Sequence, residues 1–156
     1  MAHMVETMAY AGELPWHGLG VKVIDDLTPE QMMQKAGVDW SVEKQDLITS
    51  GGSTVSNKQA LVRSSDGSVL DVVGKGWNPV QNADAFNFFE EYVRAGDMQM
   101  HTAGSLNDGK MVWALAKANE SFELFNGDVT ENYFLFSNPH EFGKAIDCLL
   151  YTSDAA

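Results

Sequence analysis

Apolar positions along the chain alternate with polar ones, or recur every three to four residues, in blocks separated by turn residues. Leu27-Thr28-Pro29-Glu30-Gln31-Met32 gathers the signals of a helix start. Thr28 is the N-cap, Pro29 takes the first helical position, Gln31 closes a capping box and Leu27 staples onto Met32. Gly37 stops this helix about two turns later. Val38, Trp40 and Val42 alternate with polar residues as a half-buried strand does, continuing to about Ile48 before a Ser/Gly/Thr stretch from Thr49 to Ser56. Lys58 to Arg63 and Val69 to Val73 form a hairpin around Ser65-Asp66-Gly67-Ser68, because Asp-Gly supplies the positive φ that tight turns need. Gly74-Lys75-Gly76-Trp77-Asn78-Pro79 leaves the sheet.

Asn82 is placed to cap a second helix whose Phe86, Phe89 and Val93, beside Ala85 and Tyr92, form one apolar stripe that ends at Gly96. Two more hairpins follow. Met98 to Ser105 returns as Lys110 to Lys117 around Asn107-Asp108-Gly109, and Phe122 to Phe125 returns as Val129 to Ser137 around Asn126-Gly127. Ala9 to Gly20, with three glycines, Pro15 and two large aromatics, reads as a structured loop anchored by burial of Trp16. Runs of strands with two helices to cover them predict an α+β fold, an antiparallel sheet built from hairpins with two main helices packed on one face. No internal repeat and no low-complexity linker interrupts it.

Composition narrows the functional classes. A chain of 156 residues is one domain by length and large enough to bury roughly two-thirds of its surface. Ten Lys and Arg against 22 Asp and Glu leave a net charge of −12, yet 44% of residues are hydrophobic, so this is an acidic globular domain and not an acidic tail. That balance argues against a broad phosphate-binding face and leaves room only for a local basic groove. Apolar runs of about four to six residues fall far short of the ~20 that cross a bilayer, and no basic-then-apolar leader is present. A single cysteine, Cys148, excludes an internal disulfide. A reducing cytoplasm and no membrane partner are therefore expected.

Catalytic patterns are scarce. His3, His17, His101 and His140 have no metal-ligand spacing, so no metal is expected. Gly74-Lys75-Gly76 lacks the outer glycine and the Lys-Ser/Thr pair of a phosphate loop, and no Gly-x-Ser-x-Gly elbow occurs, so neither a cofactor nor a catalytic residue is assigned. Adjacent Glu90 and Glu91 point about 100° apart on a helix and do not share a site. What remains is a binding surface. Lys58, Arg63, Lys75, Arg94 and Lys110, with Lys117 and Lys144, are seven of the ten cations and can line one groove. Trp77, Trp113, Tyr133, Phe134 and Phe136 are candidate stacking surfaces for bases. The nucleic-acid-binding set is Lys58, Arg63, Lys75, Trp77, Arg94 and Lys110. For each of these, solvation or core packing is the competing role.

The string Ala9-Tyr10-Ala11-Gly12-Glu13-Leu14-Pro15-Trp16-His17-Gly18-Leu19-Gly20, with Leu27-Thr28-Pro29-Glu30-Gln31, Asp39-Trp40 and Ser137-Asn138-Pro139-His140, resembles the phage and plasmid-related proteins grouped as domain of unknown function 932. Pro15, Trp16, His17, Gly18 and Gly20 form the loop motif that is its most specific part. The resemblance implies a longer parent protein, of which residues 1–147 are a single truncated N-terminal α+β domain, encoded by a phage, prophage or plasmid. The closing Cys148-Leu149-Leu150-Tyr151-Thr152-Ser153-Asp154-Ala155-Ala156 resembles translated transposase-adaptor sequence, so residues 148–156 are expected to be a non-native tail of metagenomic origin.

A fainter likeness of topology to the strand-strand-strand-helix core of phage single-strand annealing recombinases implies binding in mobile-element DNA metabolism. Single-stranded DNA and further copies of the chain are then the partners. Fold alone does not fix function. The charge supports an alternative, an acidic inhibitor or DNA-mimic decoy of a host defence nuclease in the bacterial cytoplasm. It would present Asp25, Asp26, Glu30, Glu43, Asp46, Glu90, Glu91, Glu120, Glu123 and Asp128.

Overall fold

The computed structural model describes residues 4–12, 15, 18–120, 122–125 and 127–154. Its strands are β1 (Val5–Ala11), β2 (Val21–Val23), β3 (Val42–Ile48), β4 (Thr54–Arg63), β5 (Val69–Gly74), β6 (Met98–Leu106), β7 (Met111–Ala118), β8 (Phe122–Phe125), β9 (Asp128–Pro139) and β10 (Asp147–Asp154). Among the described residues helices are confined to α1 (Pro29–Lys35), α2 (Asn82–Asn87) and α3 (Glu90–Arg94). A seven-stranded sheet has the order β10-β9-β7-β6-β1-β2, with β8 also on β9, and β3-β4-β5 form a separate three-stranded sheet.

The expected α+β fold with two main helices on one antiparallel sheet is therefore corrected: the chain is mostly β, divided between two sheets. Residues 5–11 account for part of the difference. They form an inner strand, antiparallel to β6 and parallel to β2, which makes the large sheet mixed. Only a distant partner makes this segment a strand, and no local pattern announces such pairing.

The second expected helix is broken for a packing reason. Phe88 and Phe89 donate to the carbonyls of Ala85 and Phe86, three residues back, so the chain tightens between α2 and α3. In such a turn residues three apart eclipse one another. Phe86 and Phe89 are thereby both sunk in the core, while Phe88 remains exposed against Phe136 and Tyr92. Asn82 is not the cap: Gln81 precedes the helix, and the Asn82 amide donates instead to the carbonyls of Val38 and Trp40 at 3.0 and 3.3 Å. At α1 the capping box forms in both directions between Thr28 and Gln31.

One core joins α1 and α2, the inward residues of β6, β7 and β9, and Val42, Leu61, Leu70 and Val73 of the small sheet. Residues 147–154, which include most of the segment expected to be a tail, pair along β9 from Ser137 to Thr130.

Candidate nucleic-acid interface

Alternation along the strands assigns the faces of the large sheet. Val112, Ala114 and Ala116 of β7 and Phe136 of β9 belong to the core. Their neighbours Trp113, Leu115, Lys117, Tyr133 and Leu135 therefore share the opposite face, where each is half-buried. Gly104 of β6 pairs with Trp113 of β7. A Cβ at Gly104 would clash with the Thr7 carbonyl and lie 3.1 Å from Met8 Cα and 3.2 Å from Trp113 Cζ2, so the edge of the indole packs beside a glycine that has no room for a side chain. Toward β1 the same face is closed, with Met8 and Tyr10 buried.

Thirteen or so ångströms along the strands from Trp113 is a compact polar group. Lys117 Nζ donates to Glu131 Oε1 at 2.5 Å, and Tyr133 Oη donates to Glu131 Oε2 at 2.8 Å. These two bonds hold the Glu131 carboxyl below its usual range, the lysine contributing most. His101 meets the Tyr133 ring edge-on at 5.5 Å. It sits where the β6–β7 register shifts between Met100 and Thr102, and such a bulge re-aims a side chain. Burial first, and then Lys117, push the His101 imidazole down from its ordinary value. A small cleft lined by Gln99, Lys117, Ala118, Asn119, Val129 and Glu131 opens beside the ion pair, with a volume of about 270 Å³.

A second polar cluster joins the two sheets around the buried Arg63, with Asp66 exposed at its rim. Arg63 of β4 holds Glu6 of β1 through Nη1 at 2.7 and 2.8 Å and Asp66 through Nε and Nη2 at 3.1 and 2.7 Å, while its guanidinium lies 5.4 Å from the Trp40 ring centroid. Hydrogen bonding from Arg63 above all, then from Ser68, keeps the Asp66 carboxyl far below its normal range. Beside this group His140 is fully buried, with Nε2 2.8 Å from Asn82 Oδ1. The proton position follows from the neighbours. Because the Asn82 amide nitrogen is committed to two backbone carbonyls, its oxygen faces His140 and accepts, so Nε2 carries the hydrogen. Burial pushes the His140 imidazole down to about 4.

The cations expected to line one groove are distributed over several elements. Arg63 is buried and held by two carboxylates, and Arg94 on α3 is exposed and paired with Glu90 at 3.1 Å. Lys58 is exposed on the small sheet and Lys75 in the turn just after β5, and Lys110 is half-buried at the β6–β7 turn, where its carbonyl accepts from the His140 amide. Trp77, Phe134 and Phe136 pack on or in the core. Of the stacking candidates, Trp113 and Tyr133 share the outer sheet face, and the Tyr133 ring is itself stacked on Tyr151 at 5.4 Å. Within the loop motif Pro15 is half-buried, Gly18 donates to the Pro15 carbonyl at 2.9 Å, and Gly20 has φ +102° with Met8 against it. Trp16 and His17 lie outside the described residues. Glu131 and the His101 bulge were missed in the sequence. Lys117 and Tyr133 were expected separately, as a groove cation and a stacking surface, and their shared carboxylate gave no signal. Among the described residues no cluster of His, Cys, Asp and Glu could hold a metal ion.

Residues 69–150, more than half of the chain, match the model of the family described as Domain of unknown function (DUF932). The chain belongs to this family. No curated protein and no solved structure matches it. The DUF932 match begins at β5 and takes in α2, α3 and the strands that carry Trp113, Lys117, Glu131 and Tyr133. The Pro15-to-Gly20 motif precedes the DUF932 match. No helix among the described residues is long and apolar enough to cross a membrane.

Proposed function

We propose that this DUF932 protein binds single-stranded DNA in the DNA metabolism of a phage, prophage or plasmid, with strand annealing as the concrete activity. The reading rests on one observation: the half-buried Trp113 packs beside Gly104, which has no room for a side chain, on a sheet face that also carries Leu115, Tyr133 and Lys117. Half-exposed aromatics on a sheet are stacking platforms for unpaired bases, and a nearby lysine meets the backbone. Neutralising few phosphates, such a face gives a shallow salt dependence, as a chain of charge −12 requires. Contact between copies would extend the platform along a strand. Fluorescence anisotropy with a labelled oligo-dT of about twenty nucleotides at low and moderate salt tests it. Trp113→Ala is expected to weaken binding roughly tenfold, while unchanged binding by the variant, or no salt-sensitive binding by the parent chain, overturns it.

A second reading, the acidic decoy of a host nuclease, is favoured by the exposure of Asp25, Asp26, Glu30, Glu43, Asp46 and Glu91. It predicts that the protein competes with DNA for a purified nuclease and binds no oligonucleotide itself.

A further inference from the structure

We propose that Lys117 is the phosphate-contacting cation of the outer sheet face and that Glu131 is an internal stand-in for that phosphate, displaced when a strand binds. The inference rests on the single-strand reading of this face and assigns its backbone contact. In the free protein Glu131 gives one carboxylate oxygen to Lys117 and the other to Tyr133, at 2.5 and 2.8 Å. A phosphate presents two such oxygens with the same kind of charge. Both partners of the ion pair are accessible, with Lys117 34% and Glu131 29% exposed, and the cleft of about 270 Å³ beside them is open to an incoming group. Gln99 and Asn119 line the same cleft. Tyr133, whose ring stacks on Tyr151, shares the carboxylate through its hydroxyl, so release of Glu131 makes the Lys117 cation available.

Exchange of one anion for another leaves the lysine neutralised in both states. The carboxylate then opposes binding twice, by occupying Lys117 and by repelling the phosphate. Removing its charge without changing its shape should therefore tighten binding. Arg63 offers no such exchange because it is buried, and Arg94 lies on α3, away from the strands that carry the platform.

Oligo-dT binding by anisotropy across a salt series reads the exchange with four chains: the parent, Glu131→Gln, Lys117→Gln and the double variant. Glu131→Gln is expected to bind roughly fivefold tighter. Lys117→Gln is expected to bind several-fold weaker with a salt slope shallower by about one, and the double variant no tighter than Lys117→Gln. Near-ultraviolet circular dichroism matching the parent certifies that each variant is folded. Glu131→Gln binding no tighter than the parent, while Trp113→Ala still weakens binding, overturns the exchange and leaves the platform standing. The reverse pattern overturns the platform and keeps the cation, and absence of binding by both the parent and Glu131→Gln overturns both.

Discussion

Arg63 and Lys117 each hold a carboxylate from another strand, at 2.7 and 2.5 Å, but the Arg63 side chain is 9% exposed and that of Lys117 34%. The shorter pair is the more replaceable one. Arg63 is gripped by two carboxylates, packs on Trp40 and ties β4 of the small sheet to β1 of the large one. Lys117 has one carboxylate, on the sheet face opposite the core. Charge and distance are thus alike, and burial decides whether a cation is a clasp between sheets or a contact for a ligand.

The largest expected effect breaks the clasp. Arg63→Met removes both ion pairs and leaves Glu6, itself only 26% exposed, without its guanidinium. A partly buried carboxylate left unpaired makes this substitution cost about 3 kcal/mol or more. Urea denaturation checks it. A second change, Glu6→Gln in the Arg63→Met background, should recover part of the loss because it removes the stranded charge.

A pH experiment probes the same junction through His140. Its folded value near 4 lies below the ordinary histidine value, so the fold favours the neutral ring. The associated stability is complete above about pH 6.5 and is lost as pH falls toward the folded value, up to about 3 kcal/mol. The parent melting temperature should fall through this window, and His140→Gln should flatten that part of the profile. Asp66, held low by Arg63, adds stability that is lost only as pH falls below the ordinary carboxylate value, so the two contributions separate.

Local chemistry was legible in the sequence, and partnerships across the chain were not. Thr28, Pro29 and Gln31 act within one turn, so the start of α1 could be read directly, as could the turns at Asp66-Gly67 and Asn107-Asp108-Gly109. Alternation placed Trp113 and Lys117 on one face of β7. Which face the core covers depends on α1, α2 and the small sheet, and strand spacing carries no record of them. Arg63 shows the same limit. Asp66 lies three residues away and is part of its turn, but Glu6 is 57 residues distant, and without it Arg63 resembles any surface cation. The helix break at Phe88 arises from the demand of Phe86 and Phe89 for the same pocket, which overrides an unbroken helical pattern.

The smallest expected effect sharpens the comparison most directly. Lys117→Gln breaks an ion pair shorter than that of Arg63, so a ranking by distance would make it the costlier substitution. Solvent reaches both partners, however, and can take the place of each. The Glu131 carboxyl also keeps its hydrogen bond from Tyr133 when the lysine is gone. The stability change is therefore expected to stay within about 1 kcal/mol, or roughly 2–4 °C in melting temperature for a chain of this size. A thermal melt near pH 7 measures it beside Arg63→Met. A loss as large as that of Arg63→Met would mean that Lys117 is a structural clasp as well, which a phosphate could not displace from its carboxylate without loosening the sheet.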